Sequence, residues 1–127
     1  MEDCLFCKFV SGEFATNKVF ENEDFIVIRD INPQAKNHFL IIPKKHFKYL
    51  AEMTDEDAAM LGRILKTIPT LTDILGLEGG YRLVVNQGDD AGQTVPHLHI
   101  HLLSGQKMGW QPAEILRISA GIRTEIR

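Results

Sequence analysis

The chain of 127 residues has only two cysteines, no excess of positive charge and no long apolar run. Each shortage excludes something. No stretch approaches the ~18 apolar residues of a membrane span. Lys and Arg total 14 against 17 Asp and Glu, a net charge of -3. Generic nucleic-acid binding needs a basic field, so nucleic acid is not an expected partner. The nearest basic group, Lys44, Lys45 and Lys48, reads as solvated surface. The start, "MEDCLFCK", is acidic and lacks the charged-then-apolar order of a secretory signal. The expectation is a cytoplasmic protein whose thiols stay reduced. Metal or redox chemistry then outranks a structural disulfide for Cys4 and Cys7.

Repeats, low-complexity tracts and linkers are also missing, so residues 1–127 read as one domain. Such a domain buries about two thirds of its unfolded surface and needs no disulfide staples. Along it, "LFCKFVSGE" predicts a short helix ending near Gly12. "KVFENEDFIVIRD" predicts two strands with a tight turn at Asn22, Glu23 and Asp24. "HFLIIP" is a third strand stopped by Pro43, "YRLVVN" a fourth and "PHLHIHLL" a fifth. "TDEDAAMLGRILKTIPTLTDILG" predicts the one long helix, capped by Thr54. Its expected core stripe is Ala58, Leu61, Leu65, Ile68, Leu71 and Leu75, with a kink or break at Pro69. The tail, residues 111–127, places Ile115, Ile118, Ile122 and Ile126 on one helical stripe. Strands with too few helical crossovers imply an α+β plan: an antiparallel sheet carrying one main helix.

"PHLHIHLL" holds three of the five histidines at alternate positions. In a strand His97, His99 and His101 share one face, opposite Leu98, Ile100 and Leu102. The backbones of His97 and His101 then lie about 13 Å apart. A metal–nitrogen bond is about 2.0–2.1 Å, so one ion held by all three is geometrically poor. Imidazole titrates near neutral pH and serves as acid, base or nucleophile, so the triplet points to a reaction surface. Just before it, "GDDAGQ" is either an ordinary turn or a backbone cradle for an anion.

"GQTVPHLHIHLL", "HFLIIPKKH" and "YRLVVNQG" together resemble the histidine triad (HIT) superfamily, in the expected order, from about Phe6 to Trp110. "SGQKMGW" is similar to the Hint branch, the nucleoside phosphoramidate hydrolases, more than to the dinucleoside polyphosphate hydrolases. The resemblance implies a HIT-like fold, a five-stranded antiparallel sheet with one long helix and at least one short one, joined across a homodimer. It implies attack by His99 on the α-phosphorus of a purine nucleotide, a nucleotidyl-histidine intermediate and release of the nucleoside monophosphate. No catalytic cofactor is implied. The His97 carbonyl would hold the other ring nitrogen of His99, and His101 and His38 would assist. Thr94, Gln93, Gly92 and Asn86 match positions at the phosphate or leaving group, and Asp30 the carboxylate that accepts the ribose hydroxyls. Phe6, Phe9, Ile28 and Ile31 match the base pocket, with Trp110 also on the substrate side. Dinucleoside polyphosphate hydrolysis and a nucleotide-binding adaptor are the competing readings.

Cys4-x-x-Cys7 is half of a tetrahedral metal site. Related HIT proteins complete such a site with a histidine after the third strand and the first histidine of the signature. The resemblance thus implies a structural zinc on Cys4, Cys7, His46 and His97. A redox CxxC is the alternative, although its usual βαβ setting is absent.

Overall fold

The computed structural model describes residues 3–110, with the backbone of 117–119 and 122–124. Helix α1 spans Leu5–Ser11. Strands β1, Lys18–Glu21, and β2, Phe25–Arg29, follow. The turn between them is closed by Asn22, whose Oδ1 accepts the amides of Asp24 at 2.8 Å and Phe25 at 3.1 Å. Strand β3 is Asn37–Pro43, helix α2 Asp55–Leu75, β4 Tyr81–Val84 and β5 Ile100–Ser104. The five strands form one antiparallel sheet in the order β1-β2-β3-β5-β4. The α+β architecture is the one expected. No helix among the described residues is long and apolar enough to cross a membrane.

The sheet has two covered faces. Phe25, Val27, Phe39, Ile41, Leu98, Ile100 and Leu102 face Met60, Ile64, Ile68 and Leu71 of α2. Burying each such side chain contributes roughly 1.5–3 kcal/mol. On the other face Ile26, Ile28, Leu40 and Ile42 pack with Cys4 and Phe6 of the N-terminal segment. Seven residues are too few for a stable isolated helix, so α1 depends on its ends and on this packing. The Cys4 sulfur caps its start by accepting the Cys7 amide at 3.2 Å. Gly12, at φ 86°, ends it in a left-handed conformation that glycine adopts without strain.

Three expectations need correction. The buried stripe of α2 is Met60, Ile64, Ile68 and Leu71; Ala58 is exposed and Leu65 is 52% exposed, while Leu61 and Leu75 are partly buried at the edge. The first turn sets this rotation. Thr54 and Asp57 cap each other reciprocally, and buried Asp57 pairs with Lys45 at 2.7 Å, which turns its face toward the sheet. Helix α2 also runs through Pro69 to Leu75. Pro69 removes the partner of the Leu65 carbonyl, but both residues are exposed, so water can meet that carbonyl. In the tail, Arg117–Ser119 (β6) and Ile122–Thr124 (β7) pair as antiparallel strands where a helix was expected. Ile118, Ile122 and Thr124 are β-branched and favour extended backbone. Ile115 and Ile126 lie outside the described residues.

Candidate active site

The histidine segment is not one regular strand. His101 lies in β5, but His97 and His99 precede its first residue, Ile100. The His97 amide bonds back to the Val95 carbonyl at 2.8 Å, a tight turn that takes His97 off the ladder. The Leu98 amide bonds to the Phe47 carbonyl at 2.7 Å and ties this turn to the segment after β3. That tie carries His46 to His97. Alternation still holds, with Leu98, Ile100 and Leu102 toward α2. The imidazoles, however, are no exposed polar face: His97 and His99 are buried beneath α1, with the Phe6 ring edge-on to His99 at 4.9 Å between centroids.

The rings have different surroundings. The Nδ1 of His97 lies 3.3 Å from Cys4 Sγ, 3.5 Å from Cys7 Sγ and 3.2 Å from His46 Nδ1. Cys7 Sγ is 3.2 Å from His46 Nδ1. Bonds of about 2.0–2.1 Å to nitrogen and 2.3 Å to sulfur put tetrahedral ligands roughly 3.3–3.8 Å apart, close to these spacings. Tautomer chemistry agrees. His97 Nε2 lies 2.8 Å from the Pro43 carbonyl, which can only accept, so Nε2 carries the proton and Nδ1 offers its lone pair. Burial, then the neighbouring Cys4, pushes the Cys7 thiol up to about 11. A cation would reverse that shift. The four donors fit a tetrahedral soft-metal site, and no disulfide joins the two cysteines.

His99 Nδ1 lies 2.7 Å from the His97 carbonyl oxygen, the contact that the resemblance implied. The proton therefore sits on Nδ1 and the lone pair on Nε2. Burial lowers the pKa of His99, which keeps the ring neutral near pH 7. An imidazole so held can act as a nucleophile. His101 stands beside it, ring centroids 5.0 Å apart. Its Nδ1 is 2.9 Å from His38 Nε2, which is 3.4 Å from Asp30 Oδ2. Asp30, His38 and His101 form a second group of converging donor atoms.

The remaining expected positions divide. Phe6, Phe9 and Ile28 share one apolar cluster, joined by Val95, which sequence reasoning passed over. Ile31, 91% exposed, and Trp110, 84% exposed, stand outside it. Gln93 is occupied by its own loop: its Oε1 accepts the Gly88 amide at 2.9 Å and its Nε2 donates to the Lys48 carbonyl at 3.1 Å. That loop turns at Gly88 and Gly92, both at φ 84°. Thr94 is exposed and Asn86 half-buried. The carbonyls of Pro43 and His97 and the amide of Gln34 set ring tautomers, yet backbone groups leave no mark in a sequence.

An antiparallel sheet with buried, unequal histidines at the mouth of β5 defines a class of protein, and comparison with known proteins gives the family. Residues 11–108 match the HIT domain family model. An uncharacterized HIT-like protein of Chlamydia muridarum is 47% identical over 105 residues, covering 83% of each chain. One from Synechococcus elongatus is 43% identical over 111 residues, 87% of this chain and 97% of that one. The crystal structure of a HIT family hydrolase from Legionella pneumophila superposes with a TM-score of 0.82 at 46% identity, covering 87% of this chain and 100% of that one. A HIT family hydrolase from Clostridium thermocellum gives 0.80 at 45% identity, covering 86% and 96%. The chain belongs to the HIT domain family.

Proposed function

We propose that the protein is a Hint-like nucleotide hydrolase or nucleotidyl transferase that acts on the α-phosphorus of purine nucleoside phosphoramidates. The observation that carries this reading is the 2.7 Å bond from His99 Nδ1 to the His97 carbonyl, which leaves a buried, neutral Nε2 lone pair. The hydrolase names of the Legionella and Clostridium relatives support the general class. His99 Nε2 forms a bond to phosphorus as the bond to the leaving amine breaks. The amine departs with that electron pair and takes a proton from solvent. Water then attacks phosphorus, the phosphorus–histidine bond breaks, and the nucleoside monophosphate and a proton are released. Imidazole, hydroxyl and amide donors around the site, Thr94 and the 88–93 loop among them, meet the charge on phosphorus. Asp30 takes the ribose hydroxyls, and Phe6, Phe9, Ile28 and Ile31 border the base, with Trp110 and Asn86 at the margins.

A zinc ion on Cys4, Cys7, His46 and His97 supplies structure and no step of the reaction. Those residues fasten α1 to the turn that precedes β5. The assembly is a homodimer: β4 ends the sheet, and Tyr81 and Val85 beside that edge are exposed apolar side chains suited to a second copy. The setting is cytoplasmic, where both thiols stay available to metal.

The test compares adenosine 5′-phosphoramidate with a dinucleoside polyphosphate, using wild type and His99→Asn. The reading requires faster turnover of the phosphoramidate and at least about a 10³-fold loss in His99→Asn with nucleotide binding retained. Faster polyphosphate cleavage selects the alternative hydrolase. No turnover of either, with tight nucleotide binding, selects an adaptor.

A further inference from the structure

We propose that a one-way hydrogen-bond chain, starting at the backbone amide of Gln34 and passing through His38, locks His101 into the tautomer that donates from Nε2. This deepens the reading of the site as a nucleotide hydrolase and rests on it only for the group that receives the hydrogen bond.

The chain can be followed atom by atom. The Gln34 amide lies 3.0 Å from His38 Nδ1. A backbone amide only donates, so this nitrogen accepts and is unprotonated. A neutral imidazole has one N–H, which for His38 is then on Nε2. Two acceptors lie near it, His101 Nδ1 at 2.9 Å and Asp30 Oδ2 at 3.4 Å. The shorter contact takes the proton. Asp30 is the weaker competitor, and its other oxygen already accepts the Asn32 amide at 2.8 Å. His101 Nδ1 is therefore an acceptor, and its own proton sits on Nε2. Burial holds both rings neutral near pH 7, His101 at about 4.

Two consequences follow. His99 offers a lone pair and its neighbour His101 offers a proton, so one attacks phosphorus while the other meets charge developing on an oxygen. The chain orients and does not shuttle. Full transfer from neutral His101 would leave an anionic imidazole, and the amide at the far end has no proton to send. His101 thus acts as a hydrogen-bond donor to the reacting group, with His38 a positioning residue behind it.

The same chain argues against a metal at Asp30, His38 and His101, although their donor atoms converge. A metal on His38 Nε2 would require the proton on Nδ1, pointing at the Gln34 amide 3.0 Å away. Donor would face donor. His97 has the opposite arrangement, with a carbonyl behind it and its lone pair toward the cysteines. Near-identical side chains are thus sorted into metal ligand and hydrogen-bond donor by the backbone group behind each ring.

Long-range ¹H–¹⁵N spectra of the ¹⁵N-labelled full chain near pH 7 test this without substrate. In wild type, His38 and His101 should each show a protonated Nε2 and an unprotonated Nδ1. His38→Phe keeps a ring but no donor, and His101 should then become a mixture of tautomers. Gln34→Pro deletes the first donor without altering any ring, and Nδ1–H should appear on His38. A wild-type His101 protonated at Nδ1 overturns the proposal, as does an unchanged His101 pattern in a folded His38→Phe variant. If neither variant folds, the wild-type spectrum still decides. A wrong substrate leaves these spectra as they are, and a wrong tautomer leaves the substrate comparison as it is.

Discussion

His97 and His99 are linked through the main chain: His99 Nδ1 bonds to the His97 carbonyl oxygen at 2.7 Å, while the His97 ring turns into the cluster of Cys4, Cys7 and His46. One residue thereby anchors two centres, its ring at the cysteine–histidine cluster and its carbonyl at the neighbouring imidazole. Its position is fixed from a third side by the Pro43 carbonyl on Nε2. A shift of the His97 ring would move the carbonyl that orients His99.

The cluster predicts that the purified protein carries one zinc per chain and that the metal stabilises it. A ligand held at a thousandfold over its Kd adds about 4 kcal/mol, or roughly 15 °C of melting temperature in a chain of this length. Chelator should remove that increment, and Cys4→Ser should lose both the metal and the increment. Helix α1 should become the first segment to exchange its amide protons, because Cys4 and Cys7 tie it to His97 and His46. Metal analysis with calorimetry decides; no bound metal and an unchanged melting temperature in chelator would refute the site.

The rotation of α2 predicts opposite outcomes for neighbouring residues. Ile64 is fully buried against the sheet, and Ile64→Ala should cost about 2–5 kcal/mol. Leu65 is 52% exposed, and Leu65→Ala should stay within about 1 kcal/mol. Denaturant titration of the two variants reads this directly. Equal losses would mean that the helix presents Leu65 to the core after all.

How legible this molecule was in its sequence depended on whether a feature is carried by side-chain pattern or by backbone geometry. Period-two alternation placed Leu98, Ile100 and Leu102 on one side and the imidazoles on the other. Asn22, Thr54 and Gly12 marked a turn and two helix ends through chemistry peculiar to those residues. The face of α2 was harder, because leucine and isoleucine occur around most of it. The deciding contact was Lys45 with Asp57, a pairing between residues of opposite charge that nothing local announces. Burial of the histidines was hidden for a similar reason: a strand pattern shows which side chains share a face, but not that Phe6 covers them. The inequality of the histidines came only from resemblance, and its physical cause lies in the backbone carbonyls and the amide behind the rings.

Acid stability offers a last prediction, whose sign follows from the direction of the shift. Burial, then the nearby His99 and His38, holds His101 at about 4, below its ordinary 6.5. As the pH falls below about 6.5 the unfolded chain takes up this proton, while the folded protein does so only near 4. The contribution is therefore fully present above about pH 6.5 and is lost progressively down to about pH 4. At ~1.4 kcal/mol per unit the loss is at most about 3.5 kcal/mol, reduced by solvent reaching the half-buried ring. Denaturation of wild type and His101→Gln at pH 7 and pH 4.5 isolates it, since protonation of the cysteine–histidine cluster affects both proteins alike. The variant should lose less stability than wild type between these two pH values. An equal loss would mean that the His101 proton is bound as readily in the folded protein as in the unfolded chain.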